Sequence, residues 1–232
     1  MDKSILWLIA LVISLSFGFA SCAEDTTVED PYADWQTRND RYLDSIADVA
    51  RTNRDGKWMC VQNYKIWDES LTGVGGGITI SGGSQYERTD TVYIHFLEYG
   101  PQEGKAAEFT TDSVSVYYYG TLINGERFDG NYQGDWDSEL TPQIYSPTTF
   151  CLGGLVSGWQ TALMPSHDGT YEGMKPGDRV DLFVPYQMAY GSSGMGDIRG
   201  YSVLRFHMRL EEIIHPKGPD GRSRAALPAI AE

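Results

Sequence analysis

The sequence predicts an α+β fold: an antiparallel β-sheet wrapped around one short helix, preceded by an N-terminal helix and a β-type extension. Three observations predict it. Short runs rich in β-branched and aromatic residues, several with period-two alternation, recur from Thr91 to Ile213 between glycine-rich or turn-forming stretches. Among them a single segment, LVSGWQTALM after Gly154, reads as a helix. Ahead of them Trp35, Tyr42, Ile46 and Val49 fall near one helical face, while Arg38, Asp40, Asp44 and Asp48 point elsewhere.

With 232 residues, 41% apolar and 22% charged, the chain can build one good core but not two of full size. Its formal charge of -14 argues against nucleic acid, because phosphate binding needs clustered Lys and Arg and no such cluster occurs. The acidity reads as solubility.

At the N-terminus, Lys3 precedes an apolar run from Ile5 to Phe19, closed by small residues up to Cys22. The run is shorter than the roughly 20 apolar residues of a spanning helix. It resembles a secretory signal ending in a bacterial lipobox, with Phe19 where such boxes usually carry Leu. That resemblance implies lipidation at Cys22 and a place in the bacterial cell envelope, anchored to the membrane. The polar, acidic stretch to Ala33 then reads as a tether. Residues 1–21 are thus expected to be a lipoprotein signal peptide, 22–33 a flexible tether, 34–90 the N-terminal helix and β extension, 91–214 the main domain, and 215–232 a loosely held C-terminal tail.

Asp34 is placed to cap the first helix, which is expected to end around Asn53 to Gly56. Its apolar face must pack either on the main domain or on a second copy of the chain, so a dimer through this helix is open. Residues 57–90 combine a β-type run, KWMCVQNYKIW, with the glycine-rich GVGGGITISGG and are expected to add hairpin-like pieces. TVYIHFLEYG alternates as a half-buried strand, the first of the main sheet. VSVYYYGTL, ERFDG, TTFCLG, DRVDLFVP and SVLRFHMRLEEI supply the rest. In the last, Leu204, Phe206, Met208 and Leu210 form a core face and Arg205, His207 and Arg209 a solvent face. Cys151, inside a strand, reads as a small buried apolar residue. Whether it meets Cys60 is open.

Three segments carry the chemistry: YYYGTLINGERFDG, FCLGGLVSGWQ and VPYQMAYGSSGMGDIRGYSVLRF, each pairing glycine turns with aromatics. In that order and spacing they resemble the FK506-binding (FKBP) family of peptidyl-prolyl isomerases, over roughly half the chain. The resemblance implies an FKBP-like sheet around a short helix, with Trp159 flooring an apolar pocket and Leu155 and Val156 just before it. Tyr118, Phe128 and Asp129 would form one wall and a polar rim. Tyr190 would donate its hydroxyl to a substrate carbonyl, with the Val156 N–H as a second donor. Ile198 and Phe206 would close the opposite wall, and Phe150 would join the substrate contacts. Tyr118, Asp129 and Tyr190 are the residues to which the resemblance gives catalytic roles.

Such a site needs no nucleophile, metal or cofactor. Rotation about X-Pro is slow because the amide loses resonance, a barrier of about 18–20 kcal/mol. No bond is made or broken, so a pocket that favours the twisted amide and excludes water suffices. Proline-containing polypeptides are the implied substrates, and assistance to folding of exported proteins the implied role.

The pattern departs from the family at Thr148, where relatives carry an aromatic, and at Met195 to Arg199, where a proline gives way to Arg199. A thinner wall and a charged rim are expected. Two insertions, NYQGDWDSELTPQIY and PSHDGTYEG, are placed to shape the pocket mouth. The residues leave a second use open, a non-catalytic FKBP-fold chaperone or partner-binding envelope lipoprotein, and a third, a scaffold subunit.

Other sites find no support. Asp135, Asp137 and Glu139 lack the ligand count of a calcium loop. His95, His167, His207 and His215 are scattered without metal-ligand spacing. Ser157 is not in a G-x-S-x-G elbow.

Overall fold

Each strand expected from Thr91 onward forms, and together with one more they make an antiparallel sheet. A computed structural model of the chain describes residues 30–66 and 88–217. The strands are β1 (Trp58–Gln62), β2 (Thr91–Glu98), β3 (Ser113–Thr121), β4 (Arg127–Gly130), β5 (Thr148–Cys151), β6 (Arg179–Val184), β7 (Gly194–Met195), β8 (Ile198–Arg199) and β9 (Leu204–Ile214). The main sheet runs β1-β2-β6-β9-β3-β4, with β5 also on β3, while β7 and β8 make a separate small hairpin. β3 pairs with β5 through Ser113 to Val116 and with β4 through Tyr119 to Thr121, so both wall segments hang from one strand. The fully described α-helices are α1 (Trp35–Thr52), α2 (Thr141–Ile144) and α3 (Ser157–Leu163). None of the described helices is long and apolar enough to cross a membrane.

Alternation gives the sheet two faces. Val180, Leu182 and Val184 of β6, Leu204, Phe206, Met208 and Leu210 of β9, and Val116 and Tyr118 of β3 are buried on one. There α3 packs very close: a Cβ on Gly158 would lie 2.3 Å from Val184 Cγ1, so only glycine permits this approach.

The second face was expected to meet solvent along β9, but it is covered at both ends. On the β2–β6 side α1 seats Leu43, Ala47 and Ala50 against Tyr93, Phe183 and Val203. On the β3–β9 side the 131–145 insertion lays Tyr132 on Tyr119 (5.2 Å between ring centroids) and Trp136 on Tyr117 (5.1 Å). Between these covers Asp181, 6% exposed, holds Arg205 at 2.7 Å and pairs with His207. Burial alone would raise the Asp181 pKa, but the partners His207 and Arg205 bring it below the ordinary carboxylate value.

Several expectations are corrected. The inward stripe of α1 is centred differently: Trp35, Asn39, Leu43, Ala47 and Ala50 are buried and Tyr42 and Ile46 pack beside them, whereas Val49 is 51% exposed. The dimer's rationale weakens accordingly, since the buried stripe is used on the chain's own sheet. Asp34 adopts a left-handed backbone (φ 51) and its side chain makes no cap bond. β2 is an inner strand buried on both faces, because β1 takes the edge. Cys151 is exposed: on β5 its neighbour Phe150 takes the inward position, and both Cys60 and Cys151 are free thiols. A second helix, α2, accompanies α3.

Residues 34–232 make one unit and residues 1–33 another. In the latter, Tyr32 N–H donates to Asp30 Oδ1 (2.9 Å) in a turn. The signal segment, Cys22, the glycine-rich stretch and the C-terminal tail beyond Lys217 lie outside the described residues.

Candidate functional site

Trp159 stands at the centre of the site because α3 presses it onto the sheet. It is 3% exposed. Tyr118 meets its ring at 5.3 Å and 89°, Phe206 at 5.2 Å and 88°, and Phe150 at 6.0 Å and 82°. Near-perpendicular packing places ring edges against π faces, the favourable geometry for aromatic quadrupoles. Phe128 joins through Phe206 (5.5 Å, 87°), and Tyr118 also meets Phe150 (5.6 Å). The five rings come from β3, β4, β5, α3 and β9. Tyr118, Trp159 and Phe206 are buried, while Phe128 and Phe150 are half-buried, so part of the cluster faces outward.

Backbone spacing allows the wall to close. The Phe128 ring lies over Gly120, where a Cβ would sit 2.3 Å from Phe128 Cζ. The β3–β4 connection is a tight turn in which Leu122 N–H donates to Glu126 O (2.8 Å) and Gly125 takes φ 84.

The polar side is equally defined. Tyr118 O–H donates to Asp129 Oδ2 at 2.8 Å, and Asp129 Oδ1 accepts Gly130 N–H at 2.7 Å. Burial, then the bond to Asp129, raises the Tyr118 pKa above the ordinary phenol value. Tyr190 is half-buried within electrostatic reach of Asp129, and burial followed by that negative charge also holds its proton more tightly. Leu155 and Val156 precede α3 and are half-buried, and Trp159 N–H donates to Val156 O (3.0 Å). Ile198, 9% exposed, sits in the β7–β8 hairpin, which Gly194 N–H ties to Tyr190 O (3.2 Å). Ring contacts and the Tyr118–Asp129 bond thus join Tyr118, Phe128, Asp129, Phe150, Trp159 and Phe206. Tyr190, Leu155, Val156 and Ile198 are linked to them through the backbone or by charge.

One residue escaped the sequence reading. Asn131 accepts Tyr118 N–H (2.9 Å) and donates to Val116 O (2.9 Å) and to Thr148 Oγ1 (3.0 Å). It therefore locks β3 to β5 directly behind Tyr118. Thr148, where the family resemblance implies an aromatic, supplies the hydroxyl for this lock. The only local signal was an Asn directly after the FDG turn, a residue type suited to side-chain bonds with nearby backbone.

The insertions lie elsewhere than expected. Residues 131–145 carry Tyr132 and Trp136 to the opposite face of β3, because Tyr117 and Tyr119 alternate with Tyr118. In the 165–173 segment Tyr171 O–H donates to Ala162 O (2.6 Å), and the segment borders a shallow cleft with Gln62, Tyr64 and Thr161 on the β1 side.

The acidic alternation is turn chemistry: Asp137 Oδ1 accepts Glu139 and Leu140 N–H (2.8 and 2.7 Å) just before α2, and these bonds lower its pKa. His95 pairs with Asp55 (2.8 Å). Among the described residues no cluster of His, Cys, Asp and Glu could hold a metal ion.

The family described as "FKBP-type peptidyl-prolyl cis-trans isomerase" matches residues 104–211. The chain is 35% identical over 128 residues to the "Macrophage infectivity potentiator" of Trypanosoma cruzi, covering 55% of each chain. It is 30% identical over 116 residues to the "FKBP-type peptidyl-prolyl cis-trans isomerase FkpA" of Escherichia coli K12, covering 50% of this chain and 36% of that one. A crystal structure of FkpA from Escherichia coli is similar with a TM-score of 0.42 and 25% identity, covering 92% of this chain and 83% of that one. In sequence, the match spans between about a third and just over half the length of these relatives.

Proposed function

Residues 104–211 belong to the FKBP-type peptidyl-prolyl cis-trans isomerase family, and on that premise we propose that the chain speeds rotation about X-Pro bonds in polypeptides. The observation that carries the reading is the ring set converging on Trp159, with the Tyr118–Asp129 pair at its edge. In this reading Trp159, Phe150 and Phe206 receive the proline ring, and Phe128 walls it. Burial of the X-Pro amide removes the water that stabilises its polar planar form, which lowers the barrier to the twisted amide. Tyr190 O–H donates to a carbonyl of the flanking peptide. The Val156 N–H donates to no group among the described residues and would take a second carbonyl. Asp129 orients Tyr118 and gives the rim its polarity. Leu155 and Ile198 complete the apolar border.

The physiological setting follows from the first residues. The Ile5 to Phe19 run and the small residues before Cys22 support export and lipid anchoring to the cell envelope, with exported proteins as substrates. A dimer through α1 would have to use its outward side, where Val49 is exposed.

The test is the rate of cis–trans relaxation of a short X-Pro peptide with and without the chain. Acceleration that disappears in Trp159→Ala and drops in Tyr190→Phe is expected. A folded wild-type chain without acceleration would turn the reading to a non-catalytic binding module.

A further inference from the structure

We infer that α1 is a positioning element for the Tyr190 side of the pocket, acting through Trp35, Ser202 and Asn39. Trp35 Nε1–H donates to Ser202 Oγ at 3.0 Å, and Ser202 O–H passes on to Arg199 O at 2.6 Å. Arg199 ends β8, directly after Ile198. One turn further along α1, Asn39 Oδ1 accepts Val203 N–H at 2.8 Å, while Asn39 Nδ2 donates to Trp35 O at 2.8 Å. Trp35 is 8% exposed, Asn39 1% and Ser202 3%, so these bonds are shielded from water that would otherwise compete for them.

The far side of the same loop is bound to the Tyr190 segment. Tyr201 N–H donates to Gly191 O (3.0 Å), Gly191 N–H to Tyr186 O (2.8 Å), and the Tyr201 ring meets Tyr186 at 5.1 Å. Tyr201 holds φ 63, a left-handed conformation rare for a bulky side chain. Such a backbone persists only where its surroundings over-determine it. Here α1 supplies one side of the clamp and the Tyr190 segment the other. Gly200 fits between them, since a Cβ there would lie 1.9 Å from Ser192 O.

The buried Asn39 and the Trp35 indole N–H of α1 thereby acquire a purpose that core packing alone would not require. Asn39 and Ser202 are polar residues in a cover that Leu or Ala could fill, yet Asn39 Oδ1 and the Ser202 hydroxyl each bond the backbone of this one loop. α1 fixes residues 199–203, these fix Gly191 and the β7–β8 hairpin, and Tyr190 and Ile198 are held in register with Asp129. The catalytic part of this inference rests on the isomerase reading above; the mechanical part does not.

The experiment is hydrogen exchange on the full chain, with Trp35→Phe, Ser202→Ala and the double variant, beside isomerase kinetics on the same proteins. Exchange of the Gly194 and Tyr201 amides should rise about tenfold in each single variant, the effect of one lost buried hydrogen bond. Amides of β3 and β9 should keep their protection, and the double variant should add little to either single one. kcat/KM should fall by a similar factor with the mid-sheet protection unchanged. Unaltered exchange at Gly194 and Tyr201 in Ser202→Ala would overturn the inference, and so would a rise spread evenly over the sheet. A wild-type chain that fails to isomerise would end the isomerase reading, while the exchange pattern would still decide this one.

Discussion

The Tyr118 hydroxyl donates to Asp129 Oδ2 at 2.8 Å, joining the central strand of the pocket to the short strand that forms its rim. The two residues lie on paired strands β3 and β4, and the Tyr118 ring stands perpendicular to Trp159. Tyr118→Phe keeps the ring and removes the donor. It is expected to lower kcat/KM roughly tenfold, with Asp129→Asn similar and the double variant far from additive, a coupling of about 1 kcal/mol. Additive losses in a double-mutant cycle would mean that the two groups act apart.

Trp159 is the shared contact of three rings, so its removal should cost both stability and activity. Trp159→Ala leaves a cavity among Tyr118, Phe150 and Phe206 and should destabilise by about 3–5 kcal/mol. Trp159→Phe refills part of it. Urea midpoints should rank wild type, Phe, then Ala. kcat/KM should fall by about a hundredfold or more in the Ala variant, because the prolyl ring loses the surface that aligns it.

The strands and the aromatic cluster were legible because alternation is a local signal: β9 reads as core and cover residue by residue, and Trp159 follows a glycine turn into a short helix. What escaped the sequence is whatever depends on a distant partner. The inward stripe of α1 includes Asn39, whose Oδ1 is satisfied by Val203 N–H, 164 residues away. An Asn at a core position looks wrong until that bond is known. In YYY, alternation separates Tyr118 from Tyr117 and Tyr119, but it cannot say that Trp136 and Tyr132 return to cover the latter. That covering puts Tyr132 and Trp136 of the longer insertion on the face opposite Tyr118.

Alkaline pH tests the donor role of Tyr190. Burial and then the charge of Asp129 raise its pKa above the ordinary tyrosine value of about 10, so the neutral donor persists past that pH. kcat/KM should therefore stay level to about pH 10. Tyr190→Phe should lower it about tenfold at every pH and leave the profile's shape unchanged. An alkaline fall beginning near pH 9 in the wild type and absent in Tyr190→Phe would show an acidic Tyr190, against this account.

Acid should release the ion cluster under the outer face. The folded pKa of Asp181 is lowered despite burial, because His207 and Arg205 stabilise its charge. Its contribution is therefore present above the unfolded value of about 3.9 and lost as pH falls through the lower folded value. Arg205 is 38% exposed, which tempers the pair to about 1–2 kcal/mol at neutral pH. Asp181→Asn should lower the unfolding free energy from urea titration at pH 7 by that amount and flatten the further loss between about pH 4 and pH 2. Equal acid slopes in both proteins would assign the acid transition to other carboxylates.

Gly120 is a tight position of the pocket wall, and it separates fit from fold. Its backbone is ordinary strand, so an added methyl is opposed only by space, and the atom it meets is Phe128 Cζ at 2.3 Å. Gly120→Ala must displace the Phe128 ring and disturb its contact with Phe206, now at 5.5 Å. Overpacking of this kind costs about 1–3 kcal/mol, softened here because Phe128 is half-buried and can swing. Adding Phe128→Leu to Gly120→Ala makes room for the methyl and should restore much of the stability. It cannot restore a ring wall beside the proline, so kcat/KM should remain about tenfold down while the urea midpoint recovers. Recovery of both together would mean that Phe128 contributes bulk to the fold and nothing to the pocket.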